Sequence, residues 1–277
     1  MNRLDFIGLG VAGNFAGHLE QAGEAADFIQ VKTTENIQPK AIFPFYVNSD
    51  KLSESTRFLA QYPLSDSLLN SPSNADNLQI EPEIALICDI QYQNGEVTAL
   101  IPTHFAAYND CSIRRPNARK IAEKKNWGKN SKGLAAKRIV LDKFEPGGNI
   151  DQYNIACFHK RNGIVTEYGI DSKAVEYNYF HRKLLDWIID RMNNQPDEGP
   201  MNNIAELIRQ ANYPAKAIIS IGATRYTPFG EKNYLQTGDT SFVVVYNRKQ
   251  YQHPDIKAMV ERESFREDIS ALVQKVV

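Results

Sequence analysis

Two carboxylates two residues apart, Glu81 and Glu83, lead into an apolar run, Ile84-Ala-Leu-Ile-Cys88. On a strand such residues share one face, so both groups can converge on one cation. Pro82 between them fits a strand start or edge, where its missing N–H is harmless. Taken alone, the pair is an acidic, solvent-facing strand entry. A second chemical pattern lies near the N-terminus, where Gly8, Gly10 and Gly13 spell the G-x-G-x-x-G of a dinucleotide-binding turn. That turn needs an acidic residue at the end of the next strand to hold ribose hydroxyls. Here the next strand-like run ends Val31-Lys32-Thr33-Thr34 without a carboxylate, although Lys32 would suit a 2′-phosphate. Residues 35–110 supply no further crossover helices. The nicotinamide-dependent oxidoreductase is the weaker reading, and the glycines read as a turn presenting His18.

Several segments, in register along most of the chain, resemble the fumarylacetoacetase-like (FAH) family. Asn14-Phe15-x-x-His18 is similar to its Asn-Tyr-x-x-His element, and Glu81-x-Glu83 to its Glu-x-Glu before an apolar strand. Asn109-Asp110-Cys-Ser-Ile-Arg114 resembles Asn-Asp-x-Ser/Thr-x-Arg, and Trp127 leads a segment whose functional lysine is Lys132 or, less well spaced, Lys129. Pro214–Thr224 and Leu235–Asp239 resemble the late strand-and-turn motifs, with Gly238-Asp239 read as structural.

The resemblance implies that Glu81, Glu83 and Asp110 hold one divalent cation, and hard oxygen ligands suit Mg2+ or Mn2+ over zinc. It implies His18 as the proton-transfer residue, with Lys132 and Arg114 holding developing negative charge. Asn14, Arg114 and Thr224 would contact substrate, Thr224 through its hydroxyl and backbone N–H. The substrate would be a small 2-oxo or 1,3-dicarbonyl carboxylate. Its C–C bond hydrolysis, decarboxylation or isomerisation would pass through a metal-bound enolate. A homodimer is the expected assembly.

The chain also departs from the family. The glutamate that usually pairs with the histidine is Gln21, with Glu20, a further catalytic candidate, beside it. The family's Phe-x-Lys element is Phe43-Pro44-Phe45, and the aspartate after the arginine is Arg115. These changes spare the metal ligands and leave the reaction subtype open. The alternative is a non-catalytic protein that binds a metabolite in an inherited pocket.

The elements that must carry these residues read as α+β: a mixed β-sandwich or roll with inserted helices, in one domain spanning 1–277. Its region 1–60 is expected to supply strands and a glycine-rich lid bearing His18. Strands are expected at 4–9, Asp27–Val31, Ala41–Val47, 84–88 and 97–101, the last two joined by Asn94-Gly95. Tyr153–Tyr168 turns at Asn162-Gly163, and the late strands Ala217–Ile221 and Ser241–Tyr246 precede helical stretches near the C-terminus. Helices are expected at 14–22, Tyr177–Met192 and Asn203–Ala211, with 61–77 a surface loop. Residues 116–133 read as a helix and flexible loop whose Lys120, Lys124 and Lys125 form a solvated basic face.

The 277 residues carry a net charge of −1, which provides no global field for nucleic acid or acidic membranes. No apolar run nears the roughly 20 residues of a membrane span. Cys88, Cys111 and Cys157 lack C-x-x-C spacing, against a disulfide framework and in keeping with a reducing, cytoplasmic setting.

Overall fold

The computed structural model describes residues 6–24, 28, 31, 33–72, 77–114 and 118–277. The strand expected over Asp27–Val31 falls largely outside them, as do Lys32 and Arg115. The chain begins with β1 (Phe6–Ala12), α1 (His18–Gln21) and β2 (Ala41–Val47), then the short strands β3 (Leu64–Ser65), β4 (Leu68–Leu69) and β5 (Leu78–Gln79). A long hairpin follows, β6 (Pro82–Gln93) and β7 (Glu96–Asn109), then β8 (Ser112–Ile113), β9 (Lys132–Leu134) and β10 (Ile139–Val140). A second hairpin, β11 (Tyr153–Arg161) and β12 (Ile164–Lys173), precedes α2 (His181–Asn194) and α3 (Ile204–Gln210). The chain closes with β13 (Lys216–Ser220), α4 (Pro228–Lys232), β14 (Thr240–Asn247), α5 (His253–Arg262) and β15 (Ser270–Val276).

The larger sheet runs β2-β1-β13-β6-β7-β9-β3, with β10 also on β7. The smaller runs β12-β11-β14-β15-β4, and β5 pairs with β8. Alternation along β6 assigns its faces. Ile84, Leu86 and Cys88 enter the main core with Ile155, Val243, Val245 and Leu272 of the smaller sheet. Ala85 and Ile87 point the other way, among Phe45, Tyr108 and Ile218. The far side of the smaller sheet is covered by Ile256 and Val260 of α5, packed on Phe158 and Val244.

Both Asn-Gly hairpins form as expected, with positive φ at Asn94, Gly95, Asn162 and Gly163, the backbone such two-residue turns require. Helix α2 buries Leu184, Leu185, Ile188 and Met192. The helical stretch expected near the C-terminus forms as α5, and β15 follows it with Ser270, Leu272 and Gln274 alternating inward. Two expectations are corrected. The helix expected over 14–22 is the four-residue α1, begun by Gly17 at φ 82°. Within residues 118–133, Ile121–Lys124 form a 3-10 turn, and Lys124 and Lys125 are buried rather than solvated.

The dinucleotide reading fails on topology. After β1 and the four-residue α1 the chain returns antiparallel in β2, so no β-α-β unit forms. Gly8 and Gly10 serve packing instead: a Cβ on either would lie 2.3 Å from the ring of Phe45 or Phe43 on β2.

The Gly238-Asp239 turn locks the smaller sheet. Buried Asp239 takes His159 Nε2 at 2.9 Å and Nε and one terminal nitrogen of Arg161 at 2.8 and 2.7 Å. Burial opposes its ionisation, but bonds from Arg161 and His159 hold its carboxyl below the usual range. A depressed carboxylate stabilises the fold above its unfolded pKa and loses that contribution as pH falls through the folded value. Asp239→Asn should therefore cost about 1–3 kcal/mol in urea denaturation at neutral pH, and the deficit should shrink below about pH 4.

Candidate active site

Pro82 opens β6 and carries no N–H, so the chain enters the sheet with Glu81 and Glu83 on one face. The β6–β7 hairpin returns Asn109 opposite Pro82, which sets Asp110 beside the glutamates. Asn109 fixes the junction: its Oδ1 accepts the backbone N–H of Glu81 at 3.1 Å and of Cys111 at 3.0 Å, while Nδ2 donates to Gln274. Asp110 N–H donates to Glu81 O at 3.0 Å. As a result, carboxylate oxygens of Glu81, Glu83 and Asp110 lie within 4.8 Å of one another, all three buried.

The spacing and hard oxygen chemistry of this triad fit a divalent cation. Among the described residues, Glu81 Oε1 and both Asp110 carboxylate oxygens are buried without an aligned hydrogen bond and held by ion contacts alone. Glu83 Oε2 accepts Gly222 N–H at 2.8 Å. The cavity beside them, lined by His18, Glu24, Phe43 and Lys125 as well as the triad, has about 20 Å³ free. That is room for one ion or water.

Basic side chains surround the triad. Arg114 spends its whole fork inside the protein: NH1 lies 2.7 Å from both Glu24 Oε1 and Glu81 Oε1, Nε donates to Gln79 at 2.6 Å, and NH2 to the Tyr226 hydroxyl at 2.8 Å. Lys124 reaches Glu24 at 2.9 Å. Lys125 spans Glu81 Oε2 at 2.7 Å and Asp110 Oδ2 at 2.5 Å. Lys132, fully buried, donates to the carbonyls of Asp110 and Cys111 and stays 3.6 Å from Asp110 Oδ1. Lys129 is exposed.

These neighbours divide the carboxyls. Burial penalises the Glu81 carboxylate, but Lys125 and Arg114 outweigh it and hold Glu81 well below the ordinary range. Glu24 is lowered to about 2, against its own burial, by Arg114 and the lysines. Burial and the charges of Asp110 and Glu81 push Glu83 well up. Asp110 is also raised, by burial that Lys125 and Lys132 offset only in part.

His18, 4% exposed, has Nδ1 2.9 Å from Thr224 O and its ring 5.1 Å from that of Tyr226. Burial lowers its pKa, so the imidazole is neutral at pH 7; with Nδ1–H donating to the carbonyl, Nε2 is the free base. Gln21 does not orient it. Its amide clamps the Tyr226 backbone, at 3.1 and 2.9 Å. Glu20 is exposed and does not line the cavity. Asn14 commits its amide to Tyr179 N–H, Tyr179 O and Ile221 O, and so ties the His18 segment to the scaffold. Thr224 commits its N–H to Pro82 O at 3.1 Å, while its buried hydroxyl has no hydrogen-bond partner among the described residues.

The sequence reading missed Glu24, Lys124, Lys125, Gln79 and Tyr226. The lysine doublet carried a weak signal, for it lies within one turn of apolar Ile121-Ala122, both buried, with only Glu123 between. A second correction concerns Arg114, whose donors face Glu24, Glu81, Gln79 and Tyr226. Arg114→Met would leave two buried carboxylates short of their partner. Chemical denaturation should show a loss of about 3–5 kcal/mol, with Arg114→Lys recovering only part because an ammonium lacks the planar fork.

Among solved structures, the chain is similar to a 2-keto-3-deoxyarabinonate dehydratase (15% identity, 98% of this chain and 73% of that one, TM-score 0.52). It is also similar to a 5-carboxymethyl-2-hydroxymuconate delta-isomerase from Mycobacterium smegmatis (15%, 99% and 79%, TM-score 0.52). A third is a Yersinia pestis CO92 protein placed in the fumarylacetoacetate hydrolase family (12%, 100% and 95%, TM-score 0.52). These likenesses show the fold, the curled mixed-sheet α+β architecture of fumarylacetoacetate hydrolase-family proteins. No curated protein matches the sequence significantly. A family model does match, over residues 24–276, from just after the His18 segment to the last strand, and the chain therefore belongs to DUF5718, a family of unknown function.

Proposed function

We propose that this protein is a divalent-metal-dependent enzyme acting on a small 2-oxo or 1,3-dicarbonyl carboxylate. One observation carries the reading: three buried carboxylates converge within 4.8 Å, in a cavity whose wall also holds a neutral histidine. The fold relatives named for a keto-acid dehydratase and a hydroxymuconate isomerase support the substrate class. Glu81, Glu83 and Asp110 would hold Mg2+ or Mn2+, which when bound supplies Lewis acidity toward the oxo acid oxygens.

The chain's own residues do the rest. His18 takes or returns a proton at Nε2, with Nδ1 fixed by Thr224 O. The partner on Nδ1 is a neutral carbonyl, and the usual carboxylate is replaced by Gln21, which is occupied with Tyr226. Such a base suits moving a proton on substrate carbon, as in decarboxylation or isomerisation, better than ionising water for hydrolysis. Lys132 supplies fixed positive charge beside Asp110, and the Thr224 hydroxyl is the free donor for a substrate oxygen. Arg114 acts through Glu81 and Glu24 and positions the triad. The assembly we propose is the homodimer the resemblance implies, which light scattering at micromolar concentration checks by mass.

A non-catalytic protein that binds a metabolite in the same pocket is the second reading, favoured by Gln21 in place of the usual carboxylate, with its amide spent on the Tyr226 backbone rather than on His18. Assays of Mn2+-dependent turnover on a panel of small oxo acids separate the two. Wild type should turn over at least one of them. His18→Gln should lose about 100-fold or more in kcat while calorimetry shows unchanged Mn2+ affinity, and Asp110→Asn should lose both. Full activity in His18→Gln would remove the histidine from the chemistry.

A further inference from the structure

Lys125 enters the acidic cluster from the 3-10 turn Ile121–Lys124, opposite the strands that carry the carboxylates. Its Nζ lies 2.7 Å from Glu81 Oε2, 2.5 Å from Asp110 Oδ2 and 5.1 Å from the centre of the Phe43 ring, and the residue is 3% exposed. It thus holds one oxygen from each of two members of the triad. With about 20 Å³ free, the cavity cannot add a cation beside an ammonium on the same oxygens without close like-charge contact.

We propose that Lys125 is the resident counter-ion of this cluster, and that divalent cation binding is an exchange in which its ammonium leaves Glu81 and Asp110. The proposal rests on the reading that the triad holds a divalent cation, and it adds the residue that sets the affinity. The other bases are not free to play this part. Arg114 is pinned by Glu24, Glu81, Gln79 and Tyr226, and Lys132 by two backbone carbonyls. Among the described residues, Lys125 has its ion pairs with the two carboxylates and rests over the Phe43 ring, on a flexible four-carbon stem. Glu24 lines the same cavity and offers a departing ammonium another carboxylate. Lysine at this position therefore neutralises the cluster in the metal-free protein and weakens metal binding by competition.

Calorimetry with Mn2+ on the full chain tests the exchange. Lys125→Met should bind Mn2+ about tenfold or more tightly than wild type, and Lys125→Arg, which keeps a cation, should show no such gain. The metal-free Met variant should melt below wild type and recover on adding Mn2+. Should that variant fail to fold, a wild-type crystal soaked with Mn2+ gives the second reading: the ion on the triad and Nζ out of hydrogen-bond reach of both carboxylates. Equal or weaker Mn2+ affinity in Lys125→Met overturns the exchange and leaves the metal reading standing. So does a soaked crystal with the ion on the triad and Nζ still on both carboxylates. Absence of Mn2+ binding in both chains overturns the two together.

Discussion

The carboxylates of Glu24, Glu81, Glu83 and Asp110 lie 8%, 3%, 2% and 0% exposed, where an isolated carboxylate would be far too costly to keep ionised. What makes the arrangement tenable is a set of bases, Arg114, Lys124, Lys125 and Lys132, at salt-bridge distance from Glu24, Glu81 and Asp110, while burial and the neighbouring carboxylates push Glu83 toward its neutral form. Removing one member of such a network leaves its partner charged and dry, which is why buried pairs are costly to break even where forming them gains little. Segments far apart in sequence are thereby tied to one point. Glu24 follows the His18 helix, Glu81 and Glu83 enter β6, Asp110 and Arg114 follow β7, and Lys124 and Lys125 end the 3-10 turn.

The sheet supplies the rigidity that this charge network needs. Asn109 bonds the backbone on both sides of the triad, so the position of Asp110 relative to Glu81 is set by main-chain geometry rather than by side-chain rotamers. Gly8 and Gly10 let the Phe45 and Phe43 rings lie against β1, and Phe43 in turn forms the floor under the Lys125 ammonium. A sequence pattern suited to a phosphate is used here to seat aromatic rings. On the opposite wall, Tyr226 accepts Arg114 at its hydroxyl and Gln21 at its backbone, joining the late loop to the N-terminal helix.

Much of this was legible from residue order. Period-two alternation in β6 and β7, the Asn-Gly turns and the Glu-x-Glu spacing are local properties, since each follows from backbone geometry over a few residues. They determined the α+β class, the long hairpins and the shared face of Glu81 and Glu83. Helix α2 was equally plain from its apolar face. The short helix at His18 was overextended because capping and length there depend on Gly17 and on docking to the Thr224 loop, not on apolar periodicity.

Only the tertiary structure decided which charges are buried and with whom. Lys124 and Lys125 have the composition of a wetted surface, and residue type does not distinguish a lysine that ends on a carboxylate from one that ends in water. The same holds for Arg114, whose partners come from residues 24, 79, 81 and 226. Electrostatic pairing acts through space, between elements that β-sheet topology brings together from distant parts of the chain. The sequence by itself determined which carboxylates share a strand face. The fold decided that a lysine would sit on two of the triad's members.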